Sequence, residues 1–180
     1  MKIRKSREEG FTLIEVLAAT VILSIVSMAM MAFFINAMSY NKGNQNKTVM
    51  VNLARNALFY MEKQNFNDLN AYFTESTSIQ PAIDLNASKC TFHAGALTCS
   101  PEDKTLSSMT GLWNVLNTEV NGKNYVATII YQKDLIEKDT SGKFKYLIPI
   151  KVTVRDASAP NGSNRNQANV EGYILDESIR

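Results

Sequence analysis

Residues Gly10–Leu17 read GFTLIEVL, and from Val16 to Ile35 the chain continues VLAATVILSIVSMAMMAFFI, with neither a charge nor a proline. As a helix rising about 1.5 Å per residue, these 20 residues span roughly 30 Å, the thickness of a bilayer's hydrocarbon core. A secretory signal peptide is the alternative. Its apolar region runs to only about 7 to 15 residues and ends at a small-residue cleavage site, whereas this run is longer and passes into MSYNKGNQNK without an A-x-A site. Lys2, Arg4, Lys5 and Arg7 precede it, which by the positive-inside rule puts the N-terminus in the cytoplasm and the following domain outside.

Glu15 stands at the entrance to this run. An ionised carboxylate near the bilayer centre costs about 2.5 to 3.5 kcal/mol on insertion scales. At the cytoplasmic end the penalty is smaller, and the positive end of the helix dipole favours a negative charge there. By itself this describes an interfacial glutamate in a single-pass anchor.

The flanking residues change that reading. KSREEGFTLIEVLAATVILSIV, Lys5 to Val26, resembles the N-terminal signature of type IV prepilins and of the pseudopilins of type II secretion and competence systems. In that family a basic leader ends in Gly, a membrane aspartyl peptidase cuts after it, and the new N-terminal Phe is methylated. Carried over, the resemblance implies cleavage between Gly10 and Phe11, methylation of Phe11, and an assembly role for Glu15 at the fifth mature position. It also implies partners: other pilin or pseudopilin subunits, a prepilin peptidase/methyltransferase, and an inner-membrane platform with its ATPase. In such filaments the glutamate is thought to neutralise a neighbour's terminal ammonium, a pairing worth most where dielectric is low. Major pilins often carry a proline near the twenty-second mature position, here Ala32, and no proline occurs before Pro81. That departure leans toward a minor pilin or pseudopilin.

The formal net charge is +2, and the leader's four basic residues against Glu8 and Glu9 account for all of it. The rest is formally neutral, so bulk charge makes no case for nucleic-acid binding.

After a polar stretch from Asn36 to Asn46, with Gly43 as a potential bend, TVMVNLARNALFYMEKQ resumes a helical pattern. Val49, Met50, Leu53, Ala57, Tyr60 and Met61 fall largely on one side. The expectation is one helix from Phe11 to Lys63, its first half in membrane or filament core and its second half carrying the head. Asn124–Gln132 and Tyr146–Asp156 read as strands, the latter with Ile148, Ile150, Val152 and Val154 on one face. Pro149 favours a sheet edge or a bulge. A last strand is expected over Val170–Glu177, and a short helix around Leu112, Trp113 and Leu116, with Trp113 in the core. Asp156–Asn169, rich in turn residues, reads as a long exposed loop, either a tolerated insertion or a contact surface.

The fold class is therefore α+β and pilin-like: a long N-terminal helix, membrane-spanning in its first half, packed in its second half against an antiparallel sheet. The expected divisions are leader 1–10, transmembrane or filament-core helix 11–35, amphipathic continuation 36–65, and extracytoplasmic head 66–180.

Two cysteines occur, in CTFHAGALTC. Outside the membrane a disulfide is the default pairing. With Ala94 and Gly95 as a two-residue turn, Cys90 faces Cys99 in a non-hydrogen-bonded pair, whose Cα separation of about 4.5 Å suits a disulfide. Two Cys and the nearby His93 do not complete a zinc set, so no metal site is expected.

No G-x-S-x-G, Walker loop or H-E-x-x-H is present. Asp134, Glu137 and Asp139 lie in QKDLIEKDTSGK, which reads as a solvated turn. Neither enzymatic activity nor a cofactor is expected. Two classes of function remain: a structural filament subunit, or a filament-tip module binding DNA, a surface or an exported protein. Lys133, Lys138, Lys143 and Lys145 with Phe144 and Tyr146 form a basic, aromatic strip that could meet DNA, but intervening acids leave it only +1 over Gln132–Tyr146.

Overall fold

The computed structural model describes residues 10–74, 81–86, 90–99, 103–138, 143–159 and 166–179. The chain divides into two compact units, Met1–Asn44 and Gln45–Arg180. It has the α+β, pilin-like arrangement of a long N-terminal helix followed by an antiparallel sheet.

The helix, α1, runs Leu13–Glu62 without interruption. Gly43 neither ends nor breaks it, because helical neighbours on both sides outweigh the modest propensity loss of a single glycine. In the first unit every described residue is exposed. The most apolar 18-residue window has none of its surface buried, and by length and composition this helix could cross a membrane.

In the second unit α1 turns Met50, Ala54, Ala57 and Met61 inward, all buried. Their spacing of four, three and four residues makes one stripe. At the end of α1 the Tyr60 carbonyl accepts from Lys63 N at 3.2 Å and from the Gln64 side-chain amide at 3.0 Å, which tightens the last turn. Asn65 then caps a second helix, α2 (Phe66–Thr74), its Oδ1 accepting from Asn67 N at 2.9 Å. Phe66, Leu69 and Phe73 of α2 are buried.

The sheet comprises β1 (Ala82–Ile83), β4 (Asn117–Val120), β5 (Lys123–Tyr131), β6 (Leu147–Asp156) and β7 (Gln167–Leu175). It is ordered β1-β5-β6-β7, with β4 also on β5, and every pairing is antiparallel. Its inner face brings Tyr125, Ala127, Ile129 and Tyr131, then Ile148, Ile150, Val152 and Val154, into one core with the buried stripe of α1. Burying these alternate positions is the driving force of the unit, at about 25 cal/mol per Å² of apolar surface. α1 packs tightly on the sheet at Gly172, where a Cβ would fall 2.6 Å from Leu58 Cδ2.

Several expectations need correction. Pro149 lies in an interior strand with unbroken register, opposite Tyr173 of β7, rather than at an edge or bulge. Its carbonyl accepts from Gln132 N at 3.0 Å, so its N also faces β5, just past Tyr131 where β5 has ended. The missing N–H therefore removes no rung from the β6–β7 ladder. The last strand occupies Gln167–Leu175 rather than Val170–Glu177, and the connection before it is correspondingly shorter, with 160–165 outside the described residues. KDLIE is a helical turn, α5 (Lys133–Glu137), with Lys133 Nζ 3.4 Å from Glu137 Oε1 across i,i+4. Sequence patterning missed β4, although Asn121 and Gly122 carry the signal: with φ of 53° and 72° they form a two-residue hairpin turn of type I′.

A second, two-stranded sheet pairs β2 (Cys90–His93) with β3 (Ala96–Cys99). Two short helices follow, α3 (Lys104–Ser108) and α4 (Leu112–Leu116). Asp103 caps α3, its side chain accepting from Leu106 N at 3.0 Å.

Candidate functional site

The site is built at the start of α1. Gly10 and Phe11 precede the helix, and Phe11 is 90% exposed. Thr12 is the N-cap and Glu15 the third helical residue. Glu15 Oε2 accepts from Thr12 N at 2.8 Å and from the Thr12 hydroxyl at 2.9 Å. In return Glu15 N donates to Thr12 Oγ1 at 3.4 Å. This reciprocal arrangement is a capping box, which satisfies donors that the first turn would otherwise leave orphaned. Glu15 thus has a local task besides any contact with a neighbour. The T-x-x-E spacing was readable in the sequence, yet Thr12 was not singled out there.

Phe11, Glu15, Val16, Ala19, Thr20 and Leu23 line one face from the helix start through its third turn. Small Ala19 between larger neighbours leaves a shallow apolar depression beside the carboxylate. The Thr20 hydroxyl donates to the Leu17 carbonyl at 2.9 Å, so it presents no unpaired donor to an apolar surrounding. The arrangement offers an exposed aromatic ring just before the helix, a carboxylate fixed in its first turn, and an apolar surface exposed at every described residue of the first unit.

The other predicted site residues lie in the second unit. Cys90 and Cys99 form a disulfide with a Cα separation of 3.9 Å. Their register follows from a two-residue turn at Ala94 and Gly95, with φ of 50° and 84°. Cys90 N donates to Leu85 O at 2.9 Å, so it points away from Cys99 and the pair is a non-hydrogen-bonded one. Both sulfurs belong to the core cluster. Trp113, expected in the core, is instead half-buried and stacks on Phe92 of the hairpin, ring centroids 5.9 Å apart at 6°. The small hairpin therefore has two fastenings, one covalent and one aromatic.

The basic, aromatic strip is divided. Lys133 is engaged with Glu137, and Lys145 Nζ lies 5.5 Å over the Tyr146 ring. Phe144 meets Tyr173 at 6.3 Å. The Lys143 side chain and Asp139 lie outside the described residues. Among the described residues no group of three or more His, Cys, Asp or Glu converges.

Among burial-shifted groups, Tyr72 is pushed up to about 12, first by desolvation and second by the nearby Asp103 carboxylate. Burial also raises Tyr60 and Tyr131. Asp176, beyond β7, is held below its ordinary value by hydrogen bonds from the Ser178 side chain and backbone.

Residues 5–31 match the family described as the prokaryotic N-terminal methylation motif, the signature of type IV prepilins and pseudopilins. The match covers the Gly10–Phe11 pair, the capping box and most of the exposed apolar run. Comparison with curated proteins and with solved structures returns no match.

Proposed function

We propose that this chain is a minor pilin or pseudopilin, a structural subunit cut between Gly10 and Phe11, methylated on Phe11, and assembled through the first half of α1. The observation that carries this reading is the overlap of the methylation motif at residues 5–31 with a stretch of apolar helix whose described residues are all exposed. An uncovered apolar surface of this extent needs a bilayer or other helices around it. Before assembly the basic leader keeps the N-terminus on the cytoplasmic side, the apolar run crosses the membrane, and the second unit lies outside. After cleavage, Phe11 carries a new ammonium. Glu15 uses Oε2 for its own helix, which leaves Oε1 as the acceptor for a neighbour's ammonium in low dielectric. Its partners are other pilin or pseudopilin subunits, the prepilin peptidase/methyltransferase, the membrane, and the inner-membrane platform and ATPase that drive assembly.

A second reading, a binding module at a filament tip, is favoured by the exposed Tyr146, Tyr173 and Leu175 at one end of the sheet. Filament incorporation separates the pairing role of Glu15 from mere anchoring. Glu15→Ala should leave the subunit in the membrane fraction while removing it from sheared filaments. Unchanged incorporation would refute the role given to the carboxylate.

A further inference from the structure

The chain leaves β5 at Tyr131, is held by the Gln132 N to Pro149 O bond, and folds into α5 beside the outer face of the sheet. Ile130 of β5 is paired with Lys151 of β6 on that face. The result is a cleft of about 360 Å³ lined by Ile130, Tyr131, Leu135, Lys133, Lys138 and Lys151, together with Gln132 and Asp134. The three lysines come from different places in the fold: the start of α5, the residue after its end, and the middle of β6. Sequence reading grouped Lys133 and Lys138 with Lys145, but Lys145 lies over Tyr146 and does not line the cleft. Lys151 takes its place.

We propose that this cleft binds a phosphate group. Three ammonium groups and the single Asp134 carboxylate leave the lining two positive charges in excess. A phosphate monoester carries about −1.5 to −2 near neutral pH and matches that excess, whereas a single carboxylate would neutralise only half of it. Lysines act on phosphate as mobile point charges, so they need no preset fork geometry. Ile130, Tyr131 and Leu135 give the ligand's organic part an apolar wall. Glu137 holds Lys133 at 3.4 Å, and Glu171 stands opposite Lys151 in the β6–β7 register; both compete with the ligand, and exposed pairs of this kind are weak enough to be displaced. The phosphate could be a free ester or part of a phosphodiester chain. The proposal does not depend on the filament reading.

Equilibrium dialysis of the full chain in nonionic detergent, with radiolabelled pyrophosphate, tests it. Saturable binding is expected, weakened at least about tenfold when Lys133, Lys138 and Lys151 are all changed to Gln. Lys145→Gln should leave binding unchanged, and Glu137→Gln, which frees Lys133, should tighten it about twofold. An unchanged melting temperature and Trp113 emission show that the triple variant folds, and the triple Lys→Arg variant, which keeps the charge, should retain binding. A parallel arm uses a fluorescently labelled short DNA duplex. Lysine-dependent binding of both probes identifies a phosphodiester ligand, and of pyrophosphate alone a free phosphate ester; either supports the site. Absence of saturable pyrophosphate binding, or equal loss in Lys145→Gln, overturns it, as does binding of the duplex alone, which would be charge attraction without a cleft.

Discussion

Thr12 and Glu15 hold each other across the first turn of α1, the Thr12 N–H and hydroxyl both donating to one carboxylate oxygen at 2.8 and 2.9 Å. Thr12 therefore fixes where the Glu15 carboxylate points, and with it the orientation the proposed subunit contact would meet. Thr12→Val deletes the hydroxyl and its reciprocal bond, whereas Thr12→Ser keeps both. The expected outcome is reduced incorporation into filaments for Thr12→Val and near-normal incorporation for Thr12→Ser, at equal membrane levels. Quantifying the subunit in sheared filaments checks it. Equal incorporation of the two variants would mean that Thr12 does not position Glu15.

Gly172 is where β7 meets α1. A Cβ there would lie 2.6 and 2.8 Å from the two Leu58 methyl carbons and 3.2 Å from its Cγ, so Leu58 must move. Gly172→Ala should destabilise the second unit by about 1 to 3 kcal/mol, the usual penalty of overpacking. Combining it with Leu58→Ala should cost less than the sum of the single changes, because the two share one contact. Denaturant melts of the four proteins test this, and strict additivity would show that the contact is not where the penalty arises.

The disulfide closes a short loop, with a sequence separation of 9. The chain-entropy relation assigns such a closure about 2.5 to 3 kcal/mol. Cys90→Ser with Cys99→Ser should lower the melting temperature and loosen the hairpin that Phe92 holds against Trp113. Trp113 is the only tryptophan in the chain, so its emission reports on that stack directly. A change in melting temperature without a change in Trp113 emission would show that the staple acts away from the stack.

Alkaline stability should carry the mark of Tyr72. Its pKa is raised from 10.0 to about 12 by burial and by Asp103. Below about pH 10 both folded and unfolded chains keep the phenolic proton, so stability is independent of it. Between 10 and 12 the unfolded chain releases that proton while the folded chain retains it, and stability falls as pH rises through this window. Tyr72→Phe should flatten that part of the profile in melts taken from pH 9 to 12. An unaltered slope would assign the alkaline loss to other groups, Tyr60 and Tyr131 among them.

How much of this was legible in the sequence depended on whether a local pattern stood alone or needed a tertiary partner. Ile148, Ile150, Val152 and Val154 alternate without interruption, and all four are buried. The hairpin register was equally legible, because an Ala94–Gly95 turn leaves only one way to pair Cys90 with Cys99. Pro149 was misplaced because the rule that keeps proline off interior strands concerns the missing N–H, and only the point where β5 stops shows that this N–H has no rung to make. β4 escapes the sequence pattern because the helix of Leu112–Leu116 runs directly into it at Asn117 with no breaker between them. At the candidate site, the Gly10–Phe11 junction and Glu15 stood out because a charge beside an apolar run is conspicuous. Thr12, an ordinary hydroxyl, gains its meaning from one carboxylate oxygen. The lysine cleft was out of reach, since Lys151 is brought to Lys133 and Lys138 only by the fold of the chain around Gln132.

The proposed function stands or falls on Gly10 and Phe11 being a processing junction from which an assembly-competent helix emerges. Co-expression of the full chain with a prepilin peptidase, followed by intact-mass and N-terminal sequence analysis of the membrane-extracted product, tests it most directly. The expected product has lost residues 1–10, begins at Phe11 and carries one added methyl group on its amine. A chain still beginning at Met1, or one cut within or after the apolar run, would contradict it.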